Sequence, residues 1–191
     1  MKKGKCGALT AWRGSIGKIA VTVIHTGIGP ASAERAFREL FAHEKPRRVI
    51  SAGFAGGLDP ALRAGETLTA DFPTTLIFSR AIPLETPSEK VAAFRTTGAR
   101  IVDMESDIIG AACAGAGVPL TAVRAVSDTA RESLPVPFAV WFDTARQRAR
   151  PLALVAHLLR HPSHIAPFTR FVLRLPRVAA ALAEAIEAAL R

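Results

Sequence analysis

A chain of 191 residues, 49% of them hydrophobic, can bury one substantial core, so a single domain spanning residues 1–191 is expected. A net charge of +9 and a pI near 10.7 call for an anionic partner: a phosphate ester, nucleic acid or an acidic membrane surface. Cys6 and Cys113 form no disulfide or metal pattern, the start MKKGKCGALTAWRGS has no apolar core of signal-peptide length, and no apolar run reaches the roughly 20 residues of a bilayer span, so a reducing, cytoplasmic setting is expected.

Residues 1–17 are basic and weakly patterned and read as an irregular arm or a frayed edge strand. Ile19–His25 is β-branched and apolar, the composition of a buried strand. It runs into Thr26-Gly27-Ile28-Gly29-Pro30, after which Ala33, Phe37, Leu40 and Phe41 mark a helix face within Ala31–His43. A strand, a glycine turn and a helix can present backbone N–H groups to an anion, although Ser32 stands where a dinucleotide fingerprint has its third glycine. Arg48–Ala52 is the next buried strand. The stretch Gly53-Phe54-Ala55-Gly56-Gly57 after it reads as a glycine loop open to close ligand approach. Thr67–Asp71 and Thr74–Ile82 are further strands, and Thr86-Pro87-Ser88-Glu89-Lys90 opens a helix with a capping residue ahead of proline.

Ile101–Asp128 reads as strand, helix and strand, with Glu105 at the end of the first strand and Asp128 at the end of the second. In parallel α/β sheets ligands bind outside the carboxyl ends of strands, which would put both carboxylates at one rim. Taken singly, Glu105 suits a helix N-terminus and Asp128 a turn. Beyond Ala130–Phe138, a polar loop with two prolines, helices are expected over Ala139–Arg148, Pro151–Leu159 and about Pro176–Leu190, forming a basic C-terminal segment over about 139–191. From Arg146 through Arg177 there are seven arginines and no acidic residue. Interleaved with Leu158, Leu159, Ile165, Phe168, Phe171, Val172 and Leu173, they suit an amphipathic surface on anionic lipid or a solvated helical face whose stems cover the core; both readings stay open.

Four segments in order, Thr26-Gly27-Ile28-Gly29, Ser51 to Leu58, Val102-Asp103-Met104-Glu105-Ser106 and Arg124-Ala125-Val126-Ser127-Asp128, resemble the nucleoside phosphorylase and nucleosidase superfamily, which includes purine nucleoside phosphorylases and methylthioadenosine/S-adenosylhomocysteine nucleosidases. The shortened middle, the VDMES form and the arginine-rich tail are most similar to the hopanoid-associated branch, whose substrate is an adenosyl-linked lipid. The resemblance implies an α/β fold of three layers, a mostly parallel central sheet with helices on both faces, lacking the usual first strand. It implies cleavage of a purine nucleoside at the N-glycosidic bond, with Asp128 acting on purine N7 and Glu105 binding the ribose hydroxyls. Met104 would pack on the ribose, while Ser127, Phe54, Ala55 and Gly56 would complete the substrate site. Gly27, Ile28, Gly29 and Gly53 would hold phosphate or water, no metal or cofactor being expected beyond phosphate as a co-substrate. Ser51 stands where many phosphorylases carry arginine, which leaves Arg13, Arg47 and Arg48 as substitutes. A homo-oligomer is expected, peripheral contact with the inner face of a membrane is compatible with the tail, and nucleic acid has no motif to support it.

Overall fold

Two separate sheets organise the chain, as a computed structural model covering residues 1–191 shows. The first is an antiparallel meander of β1 (Lys2–Cys6), β2 (Leu9–Ile16) and β3 (Ile19–Ile24). Residues 1–17 are therefore two strands rather than an arm. Their hairpins turn at Gly7 and Gly17, whose positive φ of 54° and 58° is the conformation that two-residue turns demand. β3 is correspondingly not a buried strand of the main sheet; its residues are exposed or half-buried, and only Cys6 and Ala11 of this meander are buried.

The second sheet has five strands in the order β5, β8, β4, β7, β6. Here β4 is Val49–Gly57, β5 Thr67–Asp71, β6 Ile77–Ser79, β7 Ile101–Asp103 and β8 Leu120–Asp128. The α/β class is as expected, but the sheet is mixed: β4 with β8 and β6 with β7 are parallel, while β5 with β8 and β4 with β7 are antiparallel. The glycines of Gly53–Gly57 do not open a loop. They continue β4, because neighbours close in on both sides of them: a Cβ on Gly56 would lie 3.1 Å from Val102 Cγ1, and one on Gly57 3.2 Å from the Asp128 carbonyl. A register shift between Ala55 and Gly56 marks where β4 passes from β8 alone to contact with β7 as well.

Helix α1 (Pro30–His43) packs on α3 (Ser106–Gly115), and Phe37, Leu40, Ile109 and Cys113 form a core with Val49, Leu120 and the meander's Cys6 and Ala11. Helix α2 (Pro87–Thr97) starts as expected, with Thr86 and Glu89 in a reciprocal cap. The segment after Asp128 departs most. Instead of a helix over 139–148 there is one turn, α4 (Phe138–Trp141), and a small hairpin of β9 (Phe142–Asp143) and β10 (Arg148–Ala149). Then come α5 (Pro151–Arg160) and α6 (Ile165–Ala189), which begins well before Pro176 and runs through it. Contacts with β8, β4 and β5 outweigh the one backbone bond that proline removes.

Candidate active site

Glu105 follows β7 after Met104, at the N-terminus of α3, and its carboxylate turns away from that helix to the glycine turn before α1. Glu105 Oε1 accepts the backbone N–H of Gly29 at 2.5 Å. Burial pushes the Glu105 carboxyl above its ordinary value, and the Asp103 charge adds to that; the N–H groups of Gly29 and Met104 and the Arg124 guanidinium oppose it. Met104 shares this corner, its Cε 3.8 Å from where a Cβ on Gly29 would be.

Asp128 ends β8 and pairs in register with Gly56, whose other neighbour is Val102. Two strand spacings put Asp128 roughly 10 Å from Val102, with Glu105 three residues further along. The carboxylates do not sit at the carboxyl ends of parallel strands, because β7 runs antiparallel to β4 and β8; the connection between them is through Gly56. Asp128 is only 4% exposed. Its Oδ1 accepts the Ser127 hydroxyl at 2.6 Å, and its Oδ2 accepts the Lys90 ammonium at 2.5 Å.

Lys90 was legible only as part of a helix start, and it is the site residue that sequence reasoning missed. The one available signal was its place directly after the capping glutamate, in the first turn of α2. Arg124, at the other end of the motif from Asp128, goes elsewhere. Its Nε donates to Asp103 Oδ2 at 2.8 Å, and its two terminal nitrogens reach the Ser51 carbonyl and hydroxyl, the Val123 carbonyl and the Ser106 hydroxyl. The Ser106 hydroxyl also donates to Asp103, and Ser79 donates to its other oxygen. An arginine thus lies against Ser51 after all, delivered from β8. The substitutes fare differently: Arg13 pairs with Glu44, and Arg48 is tied to Thr121 and the Ala189 carbonyl.

The remaining candidates divide. Phe54 is 42% exposed, and nothing lies within 4 Å of a Cβ built on Gly53, whose side-chain direction is on the opposite face of β4. Ala55 instead packs in the core with Leu62, Leu68, Ile77, Ile101, Ala122 and Val126, which leaves only its backbone for recognition; its carbonyl accepts the Ser127 hydroxyl at 3.2 Å. In the turn Gly27-Ile28-Gly29 the outward N–H groups are already engaged. The Gln147 side chain accepts the Ile28 N–H at 2.8 Å and donates to the Ile28 carbonyl at 2.7 Å, reaching over from the β9–β10 hairpin.

The family model described as the phosphorylase superfamily matches residues 2–72 and 66–160. A 5′-methylthioadenosine/S-adenosylhomocysteine nucleosidase of Geobacillus kaustophilus (strain HTA426) is 24% identical over 190 residues, covering 74% of this chain and 81% of that protein. The fold is similar to the 5′-methylthioadenosine/S-adenosylhomocysteine nucleosidase of Neisseria meningitidis in complex with methylthio-immucillin-A (TM-score 0.68, 17% identity, 97% of this chain and 87% of that one). It is also similar to the futalosine hydrolase of Helicobacter pylori strain 26695 (TM-score 0.60, 16% identity, 90% and 87%). With its ordered motifs, its mixed sheet and a model match over most of its length, the chain belongs to the phosphorylase superfamily.

Proposed function

We propose that this chain is an enzyme that cleaves the N-glycosidic bond of an adenosine-type purine nucleoside. The observation that carries this reading is the placement of Asp128 beside Gly56 and of Glu105 three residues beyond Val102 on the other side of Gly56, one held by Lys90 and Ser127, the other turned to Gly29. Departure of the purine builds positive charge on the sugar and negative charge on the base. A carboxylic acid at Asp128 would protonate N7 and make the base a better leaving group. Glu105, with lone pairs left beyond its bond to Gly29, would accept the ribose hydroxyls and place negative charge near the forming cation. Met104 beside it would cover the sugar, and the exposed Phe54 would face the base. Relatives named for 5′-methylthioadenosine and S-adenosylhomocysteine support a substrate with a substituent at the 5′ carbon, and a lipid substituent belongs to the same reading.

The nucleophile is water or phosphate, drawn to the Gly27–Gly29 turn. With Arg13 and Arg48 engaged elsewhere and the Ile28 N–H capped by Gln147, water is favoured. A second reading, nucleoside binding without turnover, is favoured by the low exposure and ion pairing of Asp128. Release of free adenine from 5′-methylthioadenosine and S-adenosylhomocysteine, with and without phosphate, decides among these. No adenine from either substrate in either buffer would sink the enzyme reading, and phosphate dependence would overturn the preference for water.

Two features support partners. Along β4, pairing on the side away from β8 is confined to Gly56 and Gly57, so the edge of Val49–Ala55 is free to associate in a homo-oligomer. On α5, Leu152 and Leu159 are 85% and 76% exposed, with Val155 between them, and Arg148, Arg150, Arg160, Arg170 and Arg177 are exposed nearby in the chain. No helix is long and apolar enough to cross a membrane. We read this surface as one that rests on the anionic, cytoplasmic face of a bilayer, where a lipid-linked nucleoside would be found.

A further inference from the structure

Lys90 is the largest side chain with no exposure anywhere in the molecule. Burying an ammonium is costly unless each of its hydrogens finds an acceptor and a counter-charge lies close. Both conditions hold: its three donors reach Asp128 Oδ2 at 2.5 Å, the Thr129 carbonyl at 2.9 Å and the Glu132 carbonyl at 2.7 Å. Pinning the Thr129–Glu132 turn needs only donors, which a neutral amide would supply. The charge serves the Asp128 carboxylate alone.

Its aim is fixed from several directions. Lys90 directly follows Glu89, whose carboxylate accepts the N–H groups of Glu85 and Thr86 and the Thr86 hydroxyl. Glu132, at the far end of the turn, is held by Arg174 of α6 at 2.7 Å and by the Thr129 N–H at 2.8 Å. Ser127 occupies the other oxygen of Asp128. Each carboxylate oxygen therefore has one fixed donor, and the plane of the carboxyl group is set.

We propose that Lys90 is a positioning residue for Asp128, and that the ion pair is the state Asp128 reaches after giving its proton to a departing purine. The inference rests on the reading of Asp128 given above. In that step the O–H bond of Asp128 breaks and the N7–H bond forms, while the C1′–N9 electron pair leaves with the base. The carboxylate left behind faces an ammonium instead of an apolar wall, which makes proton donation favourable. The nucleophile, water or hydrogen phosphate, sheds one proton, and Asp128 recovers one from solvent after product leaves, so the protons balance. Lys90 touches no substrate; it acts through Asp128.

The test measures kcat and KM for adenine release from 5′-methylthioadenosine by the full chain and by Lys90→Met and Lys90→Gln, each alone and combined with Asp128→Asn. Lys90→Gln keeps a donor for the two carbonyls should the Met variant fold poorly, and melting curves check both. Loss of Lys90 should lower kcat by about 30-fold or more while KM moves less than about threefold, and it should cost less than about twofold in the Asp128→Asn background. A nitrophenyl riboside, whose leaving group needs no proton, should be turned over by Lys90→Gln at close to the wild-type rate. Wild-type kcat in the Lys90 variants, or an equal loss in both backgrounds, overturns the inference. A wild-type chain that releases adenine from no purine nucleoside overturns the reading of Asp128 itself, a result distinct from either.

Discussion

Glu105 and Gly29 lie 76 positions apart in the sequence and are joined by a 2.5 Å hydrogen bond from the Gly29 N–H to Glu105 Oε1. The bond ties the start of α3 to the start of α1 and leaves a half-buried carboxylate at the corner assigned to ribose. Because burial raises the Glu105 carboxyl above its ordinary value, the folded state holds this proton more tightly than the unfolded chain does. The penalty is therefore absent below the ordinary glutamate range and grows as pH rises through the raised value. Glu105→Gln should melt at an increasing advantage over the wild type as pH goes from 4 toward 8, since glutamine keeps an acceptor for Gly29 without the charge. A constant or shrinking difference would remove the burial argument.

The same substitution should weaken nucleoside binding, because a carboxylate is the stronger acceptor for hydroxyl donors. Loss of charge-assisted bonds costs about 1.5–3 kcal/mol, or about 10-fold to 100-fold in affinity. Calorimetry with a ribose-bearing inhibitor reads this directly. Equal affinity in Glu105→Gln would leave the ribose hydroxyls without their proposed partner.

For Asp128, the ion pair with Lys90 means that substitution has two effects of different size. Asp128→Asn should reduce adenine release by about 100-fold to 10,000-fold if the side chain is the acid. It should also destabilise the fold, since the Lys90 ammonium, with no exposure, keeps its two carbonyls but loses its counter-charge. Nucleoside affinity should change little. Turnover at the wild-type rate in Asp128→Asn would reject the acid role.

How far the sequence could be read follows from which interactions are local. Helices α1, α2 and α3 were legible because spacing, capping and glycine stops are properties of short windows, as with Thr86 and Glu89. Strand direction was not. The carboxyl ends of β7 and β8 look equivalent in sequence, yet β7 runs antiparallel to β4, and only the assembled sheet decides that. Glycines 56 and 57 mark close backbone approach in either case; whether the neighbour is a ligand or another strand depends on residues 102 and 128, far along the chain. Lys90 was hidden for the same reason, since its partner lies 38 positions away. The tail was misjudged at Pro176, where a local helix breaker was overridden by packing on β8, β4 and β5.

Gln147 is the one non-glycine residue with positive φ, at 51°, and it sits where the hairpin passes over the turn before α1. A Cβ on Gly27 would come within 2.6 Å of its Oε1, so the two fit together only because position 27 is glycine. Cutting the side chain back in Gln147→Ala removes both bonds to Ile28 while leaving Glu105 and Asp128 untouched. Each such bond is worth about 0.5–1.5 kcal/mol, so the hairpin should loosen without unfolding the domain. Hydrogen exchange at Ile28 and along 142–149 should speed up by about 10-fold or more, with the global melting temperature shifted little. Unchanged exchange at Ile28 would mean that Gln147 does not hold the turn.

The C-terminal surface gives the prediction most easily separated from chemistry. Helix α5 exposes Leu152, Val155 and Leu159, residues three and four apart and therefore on one face, while the five exposed arginines of the segment supply charge of a single sign. Arg146 and Arg174 are excluded from that count because they pair with Asp143 and Glu132. An apolar stripe alone would bind any vesicle, and arginines alone would bind only in low salt. Their combination predicts binding that requires anionic lipid and falls with added salt, each arginine near the surface contributing about 1 kcal/mol. Vesicles of phosphatidylcholine with and without phosphatidylserine, sedimented across a salt series, measure both dependences. Replacing Leu152 and Leu159 with serine should weaken binding at every salt concentration, whereas replacing Arg160 and Arg170 with glutamine should flatten the salt dependence. Neither pair touches Asp128, Glu105 or Lys90, so adenine release from a water-soluble nucleoside should be unaffected. Binding equal on neutral and anionic vesicles would refute the charge half of the argument, and no binding to either would return these helices to a solvated face.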